Sequence, residues 1–132
     1  MIIEYLTIEQ VLALHDLALQ EFGGLAGLRS MDLLASAVLT PQQSAFAEDA
    51  YPTIPDKAGA YAASLSENQP FMDGNKRTAA LAMLVFLDIN GYELQQSDDE
   101  IAVMFEDLAQ HHIDRWGFIG WVVTHARPTS ST

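Results

Sequence analysis

The stretch of sequence that decides the fold spans residues 74–91 and reads GNKRTAALAMLVFLDING. Every residue from Ala79 to Leu87 is apolar, so a helix there has no polar face and must lie in the interior of the protein. Composition alone also permits one short buried strand, but the alanines and the length favour a helix. Gly91 suits the position just after a helix end. We therefore predict a buried central helix over about residues 75–90.

Helix signals flank this stretch on both sides. Apolar residues recur at helical spacing after several residues that are typical of a helix start, namely Thr7, Ser30, Pro55, Ser97 and Asp114. Residues 41–53 show no clear period and predict a connection. The sequence thus predicts an all-α fold, with a single domain of about six helices over residues 1–127 and a disordered C-terminal tail over residues 128–132.

The charge balance excludes several classes of function. The 132 residues include six basic and 18 acidic residues, for a formal net charge of −12. Direct nucleic acid binding and polybasic attachment to a membrane both need the cations that this chain lacks. The absence of cysteine excludes disulfides, thiolate chemistry and cysteine-ligated zinc. No segment reads as a signal peptide or membrane span, so we expect a cytoplasmic protein.

Two of the six cations, Lys76 and Arg77, are adjacent in a loop that enters the predicted central helix. The backbone N–H groups at a helix start carry positive charge and have no partner inside the helix, so they favour an anion such as phosphate. Gly74 lets a phosphate approach the backbone closely, and Asn75 is expected to bind a phosphate or to orient the loop. This pattern predicts an anion site formed by Gly74, Asn75, Lys76 and Arg77.

Two further residues of the loop have predicted roles. Asp73 supplies a carboxylate that suits Mg²⁺ held jointly with substrate phosphates, and Phe71 is expected to anchor the loop in the core. A simpler alternative stays open, in which Asp73 only caps the helix while Lys76 and Arg77 are solvated. Cations in a first turn oppose the helix dipole, which favours the anion site.

The loop resembles the signature of a known family. Residues 68–79 read NQPFMDGNKRTA, similar to the pattern HPFxDGNKRTA of the Fic/Doc family, in its death-on-curing (Doc) branch. Further similar residues occur in order at 5–7, 12–16, 22–24, 28–30 and 86–94, so the resemblance covers roughly residues 4–125. Ala80 stands where many Fic enzymes carry a second arginine, which is consistent with the Doc branch.

The resemblance implies a toxin of a toxin–antitoxin system that transfers a phosphoryl group from ATP to a protein hydroxyl. The implied target is a translation elongation factor of the Tu type. By position, Asp73 would hold Mg²⁺, and Asn75, Lys76 and Arg77 with the Gly74 backbone would bind the nucleotide phosphates. The implied partner is an antitoxin whose disordered C-terminal segment folds on the toxin. We expect its groove between the first helix and residues 51–65.

The chain departs from the family pattern at the catalytic position, where Gln69 replaces histidine. The amide of glutamine donates and accepts hydrogen bonds but cannot take a proton near neutral pH, so general-base catalysis is lost. We expect impaired activity, and three explanations stay open: an inactivated toxin, a naturally silenced toxin that still binds, or a slower enzyme in which Gln69 orients the nucleophile. Adenylyl transfer, as in the wider Fic group, is disfavoured by Lys76 in place of the Fic glycine.

The four histidines offer no replacement for the missing base. His15 is expected to pack in the core from the apolar face of the first helix. His111 and His112 lack a third ligand for a metal site and are expected to cover a helix end. His125 is expected to do the same near the C-terminus.

Overall fold

The computed structural model describes residues 2–129 and contains six α-helices joined by short connections. The helices are α1 (Ile8–Phe22), α2 (Met31–Leu39), α3 (Ile54–Asn68), α4 (Asn75–Ile89), α5 (Asp98–Ala109) and α6 (Arg115–His125). Four short strands form two antiparallel pairs, β1 (Ser44–Ala45) with β2 (Glu48–Asp49) and β3 (Tyr92–Leu94) with β4 (Ala126–Pro128). The prediction of a mainly α-helical single domain is confirmed. Within residues 2–129, no helix is long and apolar enough to cross a membrane.

Side-chain caps set the predicted helix starts. Thr7 accepts the Gln10 N–H at 3.1 Å, and the Gln10 side chain accepts the Thr7 N–H at 2.8 Å, which completes a capping box. Ser30 and Ser97 cap α2 and α5 through the same kind of hydrogen bond. A further capping box, between Thr53 and Asp56, starts α3 and was not predicted.

The most deeply buried helix is α3, not α4. Twelve of the 15 residues of α3 are buried, whereas α4 buries six and leaves Leu81, Leu84 and Val85 partly exposed. The helix predicted at about residues 75–90 is α4 (Asn75–Ile89), which packs against α3 in the core, but α3 is the more completely buried of the two. The deep burial of α3 is not evident from the sequence, because the helix is built largely from small residues that carry little hydrophobicity. These small residues let several neighbouring elements pack closely against it.

The C-terminal segment also differs from the prediction. Pro128 closes strand β4, in register with Tyr92 of β3, and the Thr129 N–H donates to the Gly91 carbonyl at 2.8 Å. The predicted disorder was therefore wrong for Pro128 and Thr129, because Pro128 pairs with β3 and Thr129 bonds the residue just before that strand. The rest of the predicted tail, residues 130–132, lies outside the described residues.

Close packing of α3 on α6 gives a test of the core. A Cβ on Gly59 would lie 3.0 Å from the Cα of Ile119, a backbone atom that cannot move aside without shifting α6. We expect Gly59→Ala to lower the free energy of unfolding by about 1–3 kcal/mol through overpacking. Urea denaturation measures the change.

The control for this substitution is Gly120→Ala in α6, where an added Cβ meets nothing within 4 Å. That variant should be stabilised by up to about 1 kcal/mol, because alanine favours the helix over glycine. Equal effects of the two substitutions would contradict the packing argument.

Candidate functional site

A loop of six residues, 69–74, joins the C-terminus of α3 to the N-terminus of α4 and borders a cavity of about 580 Å³. The end of α1 forms the opposite wall. Of the seven predicted site residues, six line this cavity: Gln69, Asp73, Gly74, Asn75, Lys76 and Arg77. Phe71 is instead buried beneath the loop, at 2% exposure. The fold thus brings the predicted residues into one place.

Asn75 closes the loop on itself. Its Oδ1 accepts the Phe71 N–H and its Nδ2 donates to the Phe71 carbonyl, both at 3.0 Å. Both the oxygen and the nitrogen of the Asn75 amide are therefore engaged within the loop. Of the two roles expected for Asn75, the geometry therefore favours orienting the loop over binding a phosphate through the side chain.

His15 supports the loop from below. It is buried on α1, as expected, and its ring stacks on Phe71 with centroids 3.8 Å apart and planes 6° apart. Its Nε2 lies 2.9 Å from the carbonyl oxygen of Asp73. Because a carbonyl only accepts, Nε2 must carry the proton. The sequence identified His15 as a packing residue but not as a hydrogen-bond donor to the loop.

The Asp73 carboxylate is exposed and held in place by main-chain donors. Its Oδ2 accepts the Leu25 N–H at 3.1 Å and its Oδ1 accepts the Gly74 N–H at 2.9 Å. These two bonds lower the pKa of Asp73, and the bond from Leu25 is the larger cause. The nearby charges of Arg77 and His15 lower the pKa further. Asp73 is therefore ionised at neutral pH and presents negative charge at the cavity.

The N-terminus of α4 presents donors to the same cavity. Gly74 adopts a left-handed conformation, with φ 76°, and no side chain caps the helix. The N–H groups of Asn75, Lys76 and Arg77 belong to the first turn, where an α-helix provides no internal acceptors. Together with the dipole of a 15-residue helix, they form an environment suited to an anion.

Both neighbouring cations are already engaged. Lys76 Nζ lies 2.7 Å from Glu106 Oε2 on α5, and this bond is the main cause of the lowered pKa of Glu106. The Arg77 guanidinium lies 3.8 Å from the centre of the Phe22 ring, in a cation–π contact. Both partners of the Lys76–Glu106 pair are about half exposed, so water screens the pair and Lys76 can exchange Glu106 for another anion.

Gln69 occupies the position that connects α3 to the loop. It has a left-handed conformation, φ 46° and ψ 60°, and its N–H donates to the Leu65 carbonyl at 3.2 Å. Arg29, which the sequence did not single out, donates from Nε to the Gln69 carbonyl at 2.8 Å and from Nη2 to the Asn68 carbonyl at 2.7 Å. The one feature of the sequence that could have drawn attention to Arg29 is that it is one of only six basic residues.

A second cavity, of about 460 Å³, lies between the end of α1, α4 and α5. Its floor is apolar and includes Leu81, Leu84 and Phe105, while Asp98 and Asp99 lie at one end. The groove was predicted elsewhere, between α1 and residues 51–65. That location was wrong, because Tyr51 and nearly all of residues 54–65 are buried in the core.

None of the three remaining histidines is among the residues that line the cavity. His111 and His112 are exposed just after α5, and the His125 Nδ1 bonds the Trp121 carbonyl within α6. Among residues 2–129, no cluster of three or more His, Cys, Asp or Glu is arranged to hold a metal ion. A divalent cation at Asp73 would therefore need further oxygen ligands from water or a substrate.

Comparison with known proteins agrees with this arrangement. Residues 5–87 match the Fic/DOC family. Toxin Doc of Mycolicibacterium smegmatis is 45% identical over 96 residues, which cover 73% of this chain and 72% of that protein. Protein kinase doc of Escherichia phage P1 is 30% identical over 91 residues, covering 69% of this chain and 71% of that protein.

The position of Asp73 depends on the absence of a side chain at Gly24. A Cβ there would lie 2.8 Å from Asp73 Oδ2, so Gly24→Ala should push the carboxylate away from the Leu25 N–H. We expect the pKa of Asp73 to rise toward its ordinary value of 3.8, as measured by NMR titration. A pKa lowered in the folded state stabilises the fold above the ordinary value, and this contribution is lost as the pH falls through the lowered pKa. The free energy of unfolding of Gly24→Ala should therefore fall less steeply on acidification than that of the unsubstituted chain.

Gly23→Ala is the matched control, because Gly23 also has a positive φ but an added Cβ meets nothing within 4 Å. This variant shares the backbone strain without the contact. If it raised the pKa of Asp73 as much as Gly24→Ala does, the steric explanation would fail.

Proposed function

The chain belongs to the Fic/DOC family, and we propose that it is a Doc-type toxin that transfers the γ-phosphoryl group of ATP to a protein hydroxyl. We further propose a cytoplasmic translation elongation factor of the Tu type as the target. The observation that carries the proposal is the convergence of a carboxylate, three helix-start amides and a cation on one cavity beside position 69. The name of the phage relative, a protein kinase, supports phosphoryl rather than adenylyl transfer.

The nucleotide phosphates would be bound mainly by the backbone. Asn75, Lys76 and Arg77 line the cavity, and their N–H groups belong to the first turn of α4, which Gly74 begins from a left-handed conformation. The Arg77 guanidinium adds a charge that its contact with Phe22 does not neutralise. Lys76 would join once it exchanges Glu106 for a phosphate oxygen. Such fixed donors stabilise the charge on a transferring phosphoryl group.

Asp73 fits the requirement for a magnesium ligand. Each carboxylate oxygen accepts one N–H and keeps further lone pairs for a cation, and the lowered pKa keeps the group ionised. Mg²⁺ is commonly held by one or two carboxylates together with substrate phosphates and water, which suits a single aspartate beside a phosphate site. When bound, the ion would neutralise charge on the phosphates.

Gln69 would orient the attacking hydroxyl rather than deprotonate it. In the transfer, the hydroxyl oxygen forms a bond to the γ-phosphorus, the bond from that phosphorus to the bridging oxygen of ADP breaks, and the hydroxyl proton is released to water. The Gln69 amide can accept a hydrogen bond from the hydroxyl but cannot hold its proton. We therefore propose that the chain is a slow enzyme, since general-base assistance is typically worth about 10²–10⁴ in rate.

A silent binding module is the second candidate, and the observation that favours it is the same Gln69. In that case the loop retains nucleotide binding without turnover. Adenylyl transfer remains a third candidate, in which the α-phosphorus is attacked instead. Lys76, which lines the cavity, disfavours it, because its side chain would crowd the space where the phosphates of an adenylyl donor would lie.

Restoring the base gives the sharpest test of activity. We expect Gln69→His to raise transfer of label from γ-labelled ATP to a bacterial lysate protein by about 10²–10⁴-fold, because an imidazole titrates near neutral pH. Gln69→His combined with Asp73→Asn should lose this gain, since the proposed metal ligand is missing. Label from α-labelled ATP instead would indicate adenylyl transfer, and no label from either nucleotide would leave the binding module as the function.

We also propose that the apolar groove between α1, α4 and α5 binds the C-terminal segment of an antitoxin. The groove borders the catalytic loop, since Lys76 and Arg77 line both cavities. Its partly exposed floor of Leu81 and Leu84 suits the apolar face of an amphipathic helix, and Asp98 and Asp99 favour basic residues at one end. A segment bound there would also cover the mouth of the ATP site.

Leu84→Glu places a charge on the groove floor and should weaken antitoxin binding by about 30-fold or more, as loss of an interface hot spot does. The measurement is the Kd of a peptide spanning the C-terminal segment of the co-encoded antitoxin. Leu39→Glu is the control, because Leu39 is 59% exposed on α2 and lies outside the groove. An unchanged Kd for Leu84→Glu would exclude this groove.

A further inference from the structure

We propose that Arg29 is a positioning residue for the transfer reaction, which holds residue 69 in the conformation that presents its side chain to the cavity. This inference rests on the proposed function of the loop. It concerns a residue 40 positions away from Gln69, in the connection between α1 and α2.

The contacts of Arg29 converge on the turn that carries Gln69. Its guanidinium donates to two successive carbonyls, those of Asn68 and Gln69, at 2.7 and 2.8 Å. Both are short bonds from a charged donor, the stronger class of hydrogen bond. The backbone N–H groups of Arg29 and Ser30 donate to the next carbonyl, that of Pro70, at 2.7 and 3.1 Å. Three consecutive carbonyls of the turn are therefore held from one short segment.

The turn needs this support because Gln69 is strained. A residue with a side chain rarely adopts φ 46°, and the left-handed region disfavours it relative to glycine. The last carbonyls of α3 also lack partners within the helix, and the last turn of α3 contains no basic residue of its own. A cation placed there complements the negative end of the helix dipole. Arg29 supplies both the donors and the charge from elsewhere in the chain.

The side chain and the backbone of this segment do different jobs. The backbone bonds to Pro70, together with the Met72 N–H bond to the Gly27 carbonyl at 3.0 Å, keep the segment beside the loop. Removing the Arg29 side chain leaves these bonds in place. The loop should then remain attached and the phosphate-binding amides intact, while residue 69 becomes free to leave the left-handed conformation.

The test compares Arg29→Met and Arg29→Lys, each in the chain as it stands and in the Gln69→His background. The first readout is the backbone conformation at position 69, from the NMR HN–Hα coupling and chemical shifts, which needs no catalytic activity. The second is kcat and KM for ATP in γ-label transfer to a bacterial lysate protein. The control is Arg127→Met, because Arg127 also donates to two backbone carbonyls, those of Thr124 and Ala126, at the far end of α6.

For Arg29→Met we expect loss of the left-handed signature at position 69 and a fall in kcat of about 10- to 100-fold, with KM for ATP within about twofold, since misplacing a catalytic group by about 1 Å has costs of this size. Arg29→Lys should recover part of both, because it keeps the charge but not the paired geometry. Arg127→Met should change neither.

An unchanged conformation at position 69 in Arg29→Met would overturn the inference, and so would a rise in KM with kcat intact. If the Gln69→His chain transfers no phosphoryl group at all, the proposed function fails. The NMR readout then still decides whether Arg29 positions residue 69.

Discussion

The candidate site depends on the pair of hydrogen bonds between the Asn75 side chain and the backbone of Phe71. Two core helices, α3 and α4, are joined by only six residues. A short antiparallel bridge to residues 27–30 pairs the backbone of Pro70 and Met72, and the N–H and carbonyl of Phe71 are paired by a side chain instead. Asn75 satisfies one donor and one acceptor at once, which turns the loop back on the helix it begins. With the loop closed, Phe71 reaches the core beside His15, and Asp73 and the first amides of α4 face the cavity.

The charge distribution explains how so acidic a chain keeps a local environment that favours an anion. Within the described residues, most of the six cations are committed to other groups. Lys57 is fully buried against Pro41 and Asp49, Arg115 contacts Glu67, Tyr51 and Ser64, and the backbone carbonyls described above hold Arg29 and Arg127. Lys76 is paired with Glu106, and Arg77 faces an aromatic ring rather than a carboxylate. The local positive field therefore comes from Arg77 and the helix amides more than from the adjacent pair as a whole.

Local signals in the sequence predicted most of the fold and most of the loop. The capping residues at Thr7, Ser30 and Ser97 mark helix starts because each bonds an amide three residues away. Contacts between distant residues left no such signal. Arg29 donates to the Gln69 carbonyl from 40 positions away in the sequence. Strand β4 has three residues, too few to show an alternating pattern, so its pairing with β3 could not be predicted. The depth of α3 was missed for a different reason: its small side chains carry little hydrophobicity, yet they let the neighbouring helices come close.

The use of main-chain donors at the start of α4 has a consequence for how such a chain changes over time. Side-chain substitution can delete a lysine, an arginine or a general base, but it cannot delete a backbone N–H unless proline is introduced. The preference for an anion at this loop is therefore harder to lose by mutation than the chemistry beside it. A chain that acquires glutamine at position 69 loses a titratable side chain there in a single substitution and keeps the helix-start amides that favour an anion.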